Sequence, residues 1–312
     1  MKILVTGGCG YKGTVLVPKL INAGHEVVVI DTQWFGNFLP EHKKLEVIKG
    51  TVLEPEKIDF KGVDAIIHLA SIANDPCGDL DPKLTWEVSA LSTMQLADRA
   101  KHAGVKRFIY ASSGSVYGVK EEEHVTEDLT LEPISEYNKT KMVAERALLS
   151  YSDNMVIQIV RPATVCGLSP RMRLDVSVNM LTMQALSNGE ITVLGGKQTR
   201  PNIHIDDITD LYLFLLGHPE VAGIYNAGFE NLSIMEIAEM IEDKIHAKII
   251  VKESNDPRSY RINSDKLLAT GFAPKKTVEN AIDEIIQAYM DKKLTNEQRY
   301  YNLAWMKQTV FT

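Results

Sequence analysis

Lys2-Ile3-Leu4-Val5-Thr6-Gly7-Gly8-Cys9-Gly10-Tyr11-Lys12-Gly13 is the stretch from which the rest of the chain can be read. Its first five residues are apolar and largely β-branched, which predicts a short strand. The glycines follow at once, and a helical pattern begins after Gly13. A dinucleotide needs this order. One glycine makes the tight turn, one lets backbone approach the pyrophosphate, one lets helix pack on strand, and the helix N-terminus faces the phosphates. The next apolar run, 26–30, ends in Asp31, placed to accept hydrogen bonds from an adenosine ribose. A carboxylate there repels a 2'-phosphate, so NAD is expected over NADP. Gly7, Gly10, Tyr11, Lys12, Gly13 and Asp31 are thus expected at the cofactor, although the Lys12 ammonium could equally point into water.

At 312 residues, 45% hydrophobic and 24% charged, the chain can bury a full α/β core and a smaller second lobe. A net charge of -7 gives no support to binding of nucleic acid or of an anionic membrane. Cys9, Cys77 and Cys166 lack CxxC spacing, so neither a disulfide framework nor a metal site is expected, and a reducing compartment fits. No apolar stretch approaches the ~20 residues that span a bilayer. The strand at the N-terminus leaves no room for a signal peptide, and a cytoplasmic protein is expected.

After a polar, aromatic loop (32–44) come a strand at 45–49 and Gly50-Thr51-Val52, which is expected to border the adenine, though Val52 could as well be core. The strand 65–69 ends in Leu69-Ala70-Ser71, a neutral end across which a cofactor can lie. Asp81-Pro82 starts a helix running to 103–104, an N-cap followed by proline at the first helical position. Strand 107–112, a helix opened by Ser135 and ending near 151, and strand 155–160 followed by Arg161-Pro162 complete an alternation that argues for a parallel sheet covered on both faces. Pro18 should kink the first helix.

Beyond Pro162 the rhythm changes to a loop (168–174), a helix (175–187), a strand (191–194) and the turn Gly195-Gly196. Residues 201–207 and the helix to 216 read as a return to the main sheet, and an amphipathic helix follows at 233–246. The expected organisation is a Rossmann-type, doubly wound α/β domain (1–165 and 202–228) with an interleaved substrate lobe (166–201 and 229–312). A ligand cleft should lie between them at the carboxyl ends of the strands.

Tyr137 and Lys141 are four apart on a predicted helix and project from one face. A tyrosine of ordinary pKa near ~10 is a poor base, whereas an adjacent ammonium and a cationic nicotinamide both favour its phenolate. By spacing alone the pair could be an exposed Tyr and Lys. The strand end Ala111-Ser112-Ser113-Gly114-Ser115-Val116-Tyr117-Gly118 favours the chemical reading, because it would place hydroxyls on the cofactor side of the sheet.

Gly7-x-x-Gly10-x-x-Gly13, Asp31, Ser113-x-x-Val116-Tyr117-Gly118, Tyr137-x-x-x-Lys141 and Arg161-Pro162 with Val165-x-Gly167 together resemble an extended short-chain dehydrogenase/reductase of the NAD-dependent nucleotide-sugar epimerase/dehydratase group. The resemblance extends to about Met290. It implies Tyr137 as acid/base, Lys141 holding the nicotinamide ribose, and Ser113 bonding the reacting sugar oxygen. It also implies Thr51, Val52, Leu69, Ala70, Ser71, Ser112 and Pro162 at NAD, and Ser115, Thr164, Asn179, Arg200 and Arg258 at a nucleotide-diphosphate sugar. Arginine forks suit phosphate oxygens. Arg171 and Arg173 are either diphosphate contacts or solvated charges, and His204 is expected to be a packed structural histidine.

Where hexose 4,6-dehydratases carry an Asp-Glu pair, this chain has Gly114 and Ser115, and no cysteine lies near Ser113. Dehydration, and inversion that needs a second acid/base, are disfavoured. Thr51, Ser89 and Thr164 also replace residues common in the group. The implied reaction is oxidation of a sugar hydroxyl, at C4 in the expected case, to a ketone. Reduction from the other face gives epimerisation, and release gives a dehydrogenase or, reversed, a ketoreductase. A protein that senses NAD redox state without turnover is the alternative from another class, and it has no need of the Tyr-Lys pair with its serine. A homodimer is expected through the helices beginning at Pro82 and near Ser135, with Trp86 and Met94 facing outward. Otherwise the C-terminal Tyr300, Tyr301 and Trp305 would cover those positions.

Overall fold

The structure is a computed structural model and describes residues 1–254 and 259–311. The first half alternates as its hydrophobic pattern requires: β1 (Lys2–Thr6), α1 (Gly13–Asn22), β2 (Glu26–Asp31), β3 (Leu45–Lys49), β4 (Ala65–His68), the one-turn α2 (Asp75–Gly78), α3 (Pro82–Trp86), α4 (Ser92–His102), β5 (Arg107–Ala111), α5 (Glu136–Leu149) and β6 (Val156–Pro162). After these come β7 (Thr164–Cys166), α6 (Ser177–Asn188), β8 (Glu190–Leu194), β9 (Thr199–His204), α7 (Ile205–Gly217), β10 (Gly223–Ala227), β11 (Glu230–Ser233), α8 (Ile234–Ile245), β12 (Lys248–Lys252), α9 (Asp265–Leu268), α10 (Val278–Met290) and α11 (Asn302–Thr309).

Seven strands form one parallel sheet in the order β10-β6-β5-β4-β1-β2-β3, with Leu4 opposite both Val28 and Ile66. The chain winds outward from β1 to β3 and then returns to β4 on the other side of β1. A crevice therefore opens at the carboxyl ends of β1 and β4, where ligands bind in such sheets. Ile3, Leu4, Val5, Ile66, Ile67, Phe108 and Ile109 are all buried, the near-continuous apolar runs of a sheet covered on both faces. Ile3 and Val5 pack with Leu16, Val17 and Leu20 of α1 and with Leu211 and Leu215 of α7. Leu4, Ile66 and Phe108 point the other way, against Leu96 of α4 and Ala144 and Leu148 of α5. Truncating such a leucine to alanine costs about 2–5 kcal/mol.

Pro18 lies inside α1, and the helix continues through it to Asn22. Between α3 and α4 the predicted continuous helix is interrupted by a π-helical turn, Glu87–Leu91. The Ser92 hydroxyl donates to the Val88 carbonyl there at 2.5 Å, and the Ser89 and Ser71 hydroxyls meet at 2.9 Å. Turns of this kind concentrate near functional sites.

One strand is placed differently from its sequence reading. β9 does not return to the large sheet but pairs with β7 and β11 in a three-stranded sheet. The edge beside β6 is taken by β10, whose Tyr225 and Ala227 bury in the cluster that includes Ile3 and Leu20. The polar side chains of Thr199, Arg200 and Asn202 would bury little apolar area there. β8 and β12 form a separate parallel pair packed with α6, α8 and α10. Among the described residues no helix is long and apolar enough to cross a membrane.

The C-terminal aromatics do not cover Trp86 and Met94. Tyr300 buries with Met172 and Leu174, and the Trp305 indole donates to the Trp34 carbonyl at 2.7 Å. Trp86 is half-buried with its indole on Glu136, and Met94 stays 43% exposed.

Candidate active site

A cavity of about 560 Å³ is walled by the carboxyl ends of the central strands and the first turn of α1. At Gly7 the backbone has φ +72°, and an added Cβ would lie 2.6 Å from the Ala70 amide nitrogen. At Gly13 it would run into the Gly8 carbonyl. Glycine is required at both positions, by conformation at the first and by close packing at the second. At the end of β2, Asp31 lines the same cavity, its Oδ2 accepting from the Cys9 amide at 3.0 Å and its Oδ1 from the Gln33 amide at 2.7 Å.

Gly10, Tyr11, Thr51, Val52, Leu69, Ala70, Ser71, Ser112 and Pro162 also line this space, Val52 being core at the same time. Lys12 is half-buried. It lines the cavity, and burial followed by the nearby Arg173 charge brings its pKa down to about 8. Arg171 and Arg173 are wall residues too. Arg173 grips Asp175 with two hydrogen bonds, 2.9 and 3.2 Å.

Tyr137 and Lys141 reach the other end of the cavity from one face of α5. The helix starts there because Ser135 caps it, accepting from the Asn138 amide at 3.1 Å. Lys141 is 2% exposed, and its ammonium donates to the Ala111 carbonyl at 2.8 Å. Burial, then the Lys12 charge, lower its pKa to about 7. Burial raises the Tyr137 phenol to about 12, the Asp75 carboxylate adds to this, and the Ser113 hydroxyl works against it. The lysine therefore does not by itself make Tyr137 a base. A further cation beside the ring would favour the phenolate. The Ser113 hydroxyl lies 2.6 Å from that of Ser115, which donates to the Asn138 side-chain Oδ1.

Thr164 and Arg200 line the cavity, whereas Asn179 does not. Its amide accepts from the Gly167 amide at 3.0 Å and donates to the Tyr11 hydroxyl and the Arg173 carbonyl at 3.0 and 2.9 Å, so its polar atoms are committed to the chain. Arg258 lies outside the described residues. His204 is buried and structural, accepting from the Asp206 amide at 3.0 Å as the cap of α7.

Sequence reasoning missed three features. Asp75 is brought to the cavity by α2, its Oδ1 accepting from the Ser135 hydroxyl at 2.7 Å. Beneath the strand ends, Glu145 and Arg161 form a buried pair, Oε2 to Nη2 at 2.7 Å, and Glu145 also accepts from the Ser112 hydroxyl at 2.5 Å. Glu145 stands four residues after Lys141, so the helical spacing that linked Tyr137 and Lys141 could have found it. Asn302, from the C-terminal segment, also lines the cavity; no local pattern marks it.

The donor set fits NAD: a glycine turn that admits only glycine, a carboxylate for a ribose at one end, and a phenol and ammonium at the other. Residues 3–228 match the model of the NAD dependent epimerase/dehydratase family. A Bacillus subtilis (strain 168) protein described as an uncharacterized UDP-glucose epimerase is 32% identical, over 78% of this chain and 82% of its own. UDP-glucuronic acid decarboxylase 1 of Danio rerio is 29% identical over 95% of this chain and 74% of its own. The structure of UDP-glucuronic acid 4-epimerase from Bacillus cereus, in complex with UDP-glucuronic acid and NAD, superposes with a TM-score of 0.82 at 27% identity, covering 94% of this chain and 100% of that one. The chain thus belongs to the NAD-dependent epimerase/dehydratase family and is an NAD-dependent enzyme of the short-chain dehydrogenase/reductase type.

Proposed function

We propose that the enzyme is a nucleotide-sugar epimerase that inverts a sugar hydroxyl, at C4, through a transient ketone. The observation that carries this reading is the convergence of Tyr137, Lys141 and Ser113 on one cavity while Gly114 and Ser115 occupy the next positions. An added Cβ at Gly114 would collide with the Ile262 side chain, so no carboxylate fits there without repacking. This supports inversion over elimination of water.

In this reading Tyr137 takes the proton of the reacting hydroxyl and later returns one to the ketone oxygen. Bound NAD supplies the acceptor and donor of hydride. Ser113 holds the reacting oxygen, and Lys141 holds the nicotinamide ribose while its charge favours the phenolate. Thr164 and Ser115 face the sugar, Arg200 faces the diphosphate, and Arg258 would join it. Arg173, Arg200 and Tyr260 reach the cavity from 166–201 and 229–312, which supports reading those segments as the substrate lobe.

One observation favours a second reading. The Asp75 charge stabilises the protonated phenol, which suits proton donation to a ketone and hence a net ketoreductase or, reversed, a dehydrogenase. Incubation with a panel of UDP-, GDP-, CDP- and dTDP-sugars tests both, following NADH absorbance and product stereochemistry together. An inverted sugar without accumulated NADH supports the epimerase. A released keto-sugar with stoichiometric NADH supports the second reading, and no turnover on the whole panel overturns both.

A further inference from the structure

A guanidinium stands in the cavity wall without a carboxylate partner among the described residues. Arg171 is 2% exposed. Its Nη2 donates to Asn302 Oδ1 at 2.6 Å and its Nη1 to the Met172 carbonyl at 3.3 Å, while Nε has no acceptor. The planar group lies over the Phe35 ring, 3.9 Å from its centroid. Neutral acceptors and an aromatic face leave the fork without an ion pair; the Asp175 and Asp31 carboxylates favour its charge only from beyond salt-bridge distance, and a buried guanidinium without a paired anion is costly. Burial and the neighbouring Arg173 pull its pKa down to about 9.

Its position says which ligand would supply the missing charge. The Arg171 amide donates to the Thr14 hydroxyl at 3.4 Å, and the Ser169 hydroxyl donates to the Tyr11 carbonyl at 2.8 Å. The backbone that carries the guanidinium is thus fixed beside the first turn of α1, where the helix N-terminus already favours an anion.

What holds it there is the C-terminal segment, which lies outside the family match at 3–228. Asn302 is 3% exposed, and its amide donates to Asp175 Oδ2 at 3.2 Å. The Leu174 amide donates to the Tyr300 carbonyl at 2.8 Å, and Trp305 is tied to Trp34, the neighbour of Phe35. Were Asn302 only a structural tie for a buried arginine, a carboxylate would serve better. A neutral amide orients the fork and leaves its charge for a ligand. We infer that Arg171 is an anion-binding group for the pyrophosphate of NAD, and that the C-terminal segment, through Asn302, is the element that positions it.

Calorimetric titration of NAD-free protein with NAD, NADH, ADP and adenosine tests this. In Arg171→Met, the Kd for NAD, NADH and ADP should rise by roughly tenfold or more, the scale of a lost charged hydrogen bond, with adenosine unaffected. Asn302→Asp places a carboxylate against the guanidinium. It should weaken NAD and ADP in the same way while the unfolding temperature of the ligand-free protein holds or rises. Equal losses for ADP and adenosine, or unchanged NAD affinity in Arg171→Met, would overturn the assignment to the pyrophosphate. Unchanged NAD affinity in folded Asn302→Asp would overturn the role of the segment, and if that variant unfolds, Asn302→Ala must raise the Kd for ADP but not for adenosine.

Discussion

Asp31 at the end of β2 reaches the Cys9 amide in the glycine turn, 3.0 Å from Oδ2, and so ties the second strand to the turn after the first. With Oδ1 held by the Gln33 amide, the carboxylate is preorganised at the edge of the cavity. Burial raises its pKa, and the two amide bonds oppose that rise. Asp31→Ala should narrow the preference for NAD over NADP, because the repulsion against a 2'-phosphate is lost. Kd values for both cofactors measure this, and a wild type that already prefers NADP would show the reading of this strand end to be wrong.

Tyr137 lies on a helix face whose position is set by Ser135 and Lys141, not by its own hydroxyl. Tyr137→Phe should therefore keep the fold and NAD binding while turnover falls by a factor on the order of 100 or more. Near-normal turnover would remove Tyr137 as acid/base. Lys141→Met should be similarly inactive and should also bind NAD more weakly.

Acid should destabilise the protein through His68. Its two ring nitrogens lie 2.5 and 2.9 Å from the Thr6 and Thr93 hydroxyls, and burial, with a contribution from Lys141, lowers its pKa from 6.5 to about 3. Between those values the unfolded chain binds the proton and the folded one does not, so stability falls as pH falls. The contribution is whole above pH 6.5 and lost by about pH 3, roughly 4–5 kcal/mol in full. Urea midpoints across this range should fall less steeply in His68→Gln, and parallel slopes would contradict the assignment.

Leu91, Met94 and Val143 are 44, 43 and 39% exposed on the helical layer formed by α3, α4 and α5, and they stay exposed although Met306 and Leu303 of the C-terminal segment pack with Leu96 and Leu148 of that layer. An apolar face of this kind is a candidate interface. We predict a homodimer through it, with Met94→Glu shifting the mass toward the monomer. Light scattering that finds a wild-type monomer at micromolar concentration would rule this out.

The strand, glycine turn, helix and acid of residues 2–31 were legible in the sequence because each depends on near neighbours: a run of buried aliphatics, a turn that admits only glycine, a helical period. The same locality made Tyr137 and Lys141 readable and would have served for Glu145. What depended on distant contacts was not legible. β9 stays out of the large sheet and β10 takes the edge beside β6 because burial of apolar area against another part of the chain decides an edge, and local periodicity carries no such information. Asn179 faces the chain for the same reason, since the orientation of a polar side chain is set by the partners tertiary packing supplies. Arg171 meets Asn302 across 131 residues, and the fork it presents to the cavity is left without an ion pair among the described residues only because folding buried it against neutral acceptors.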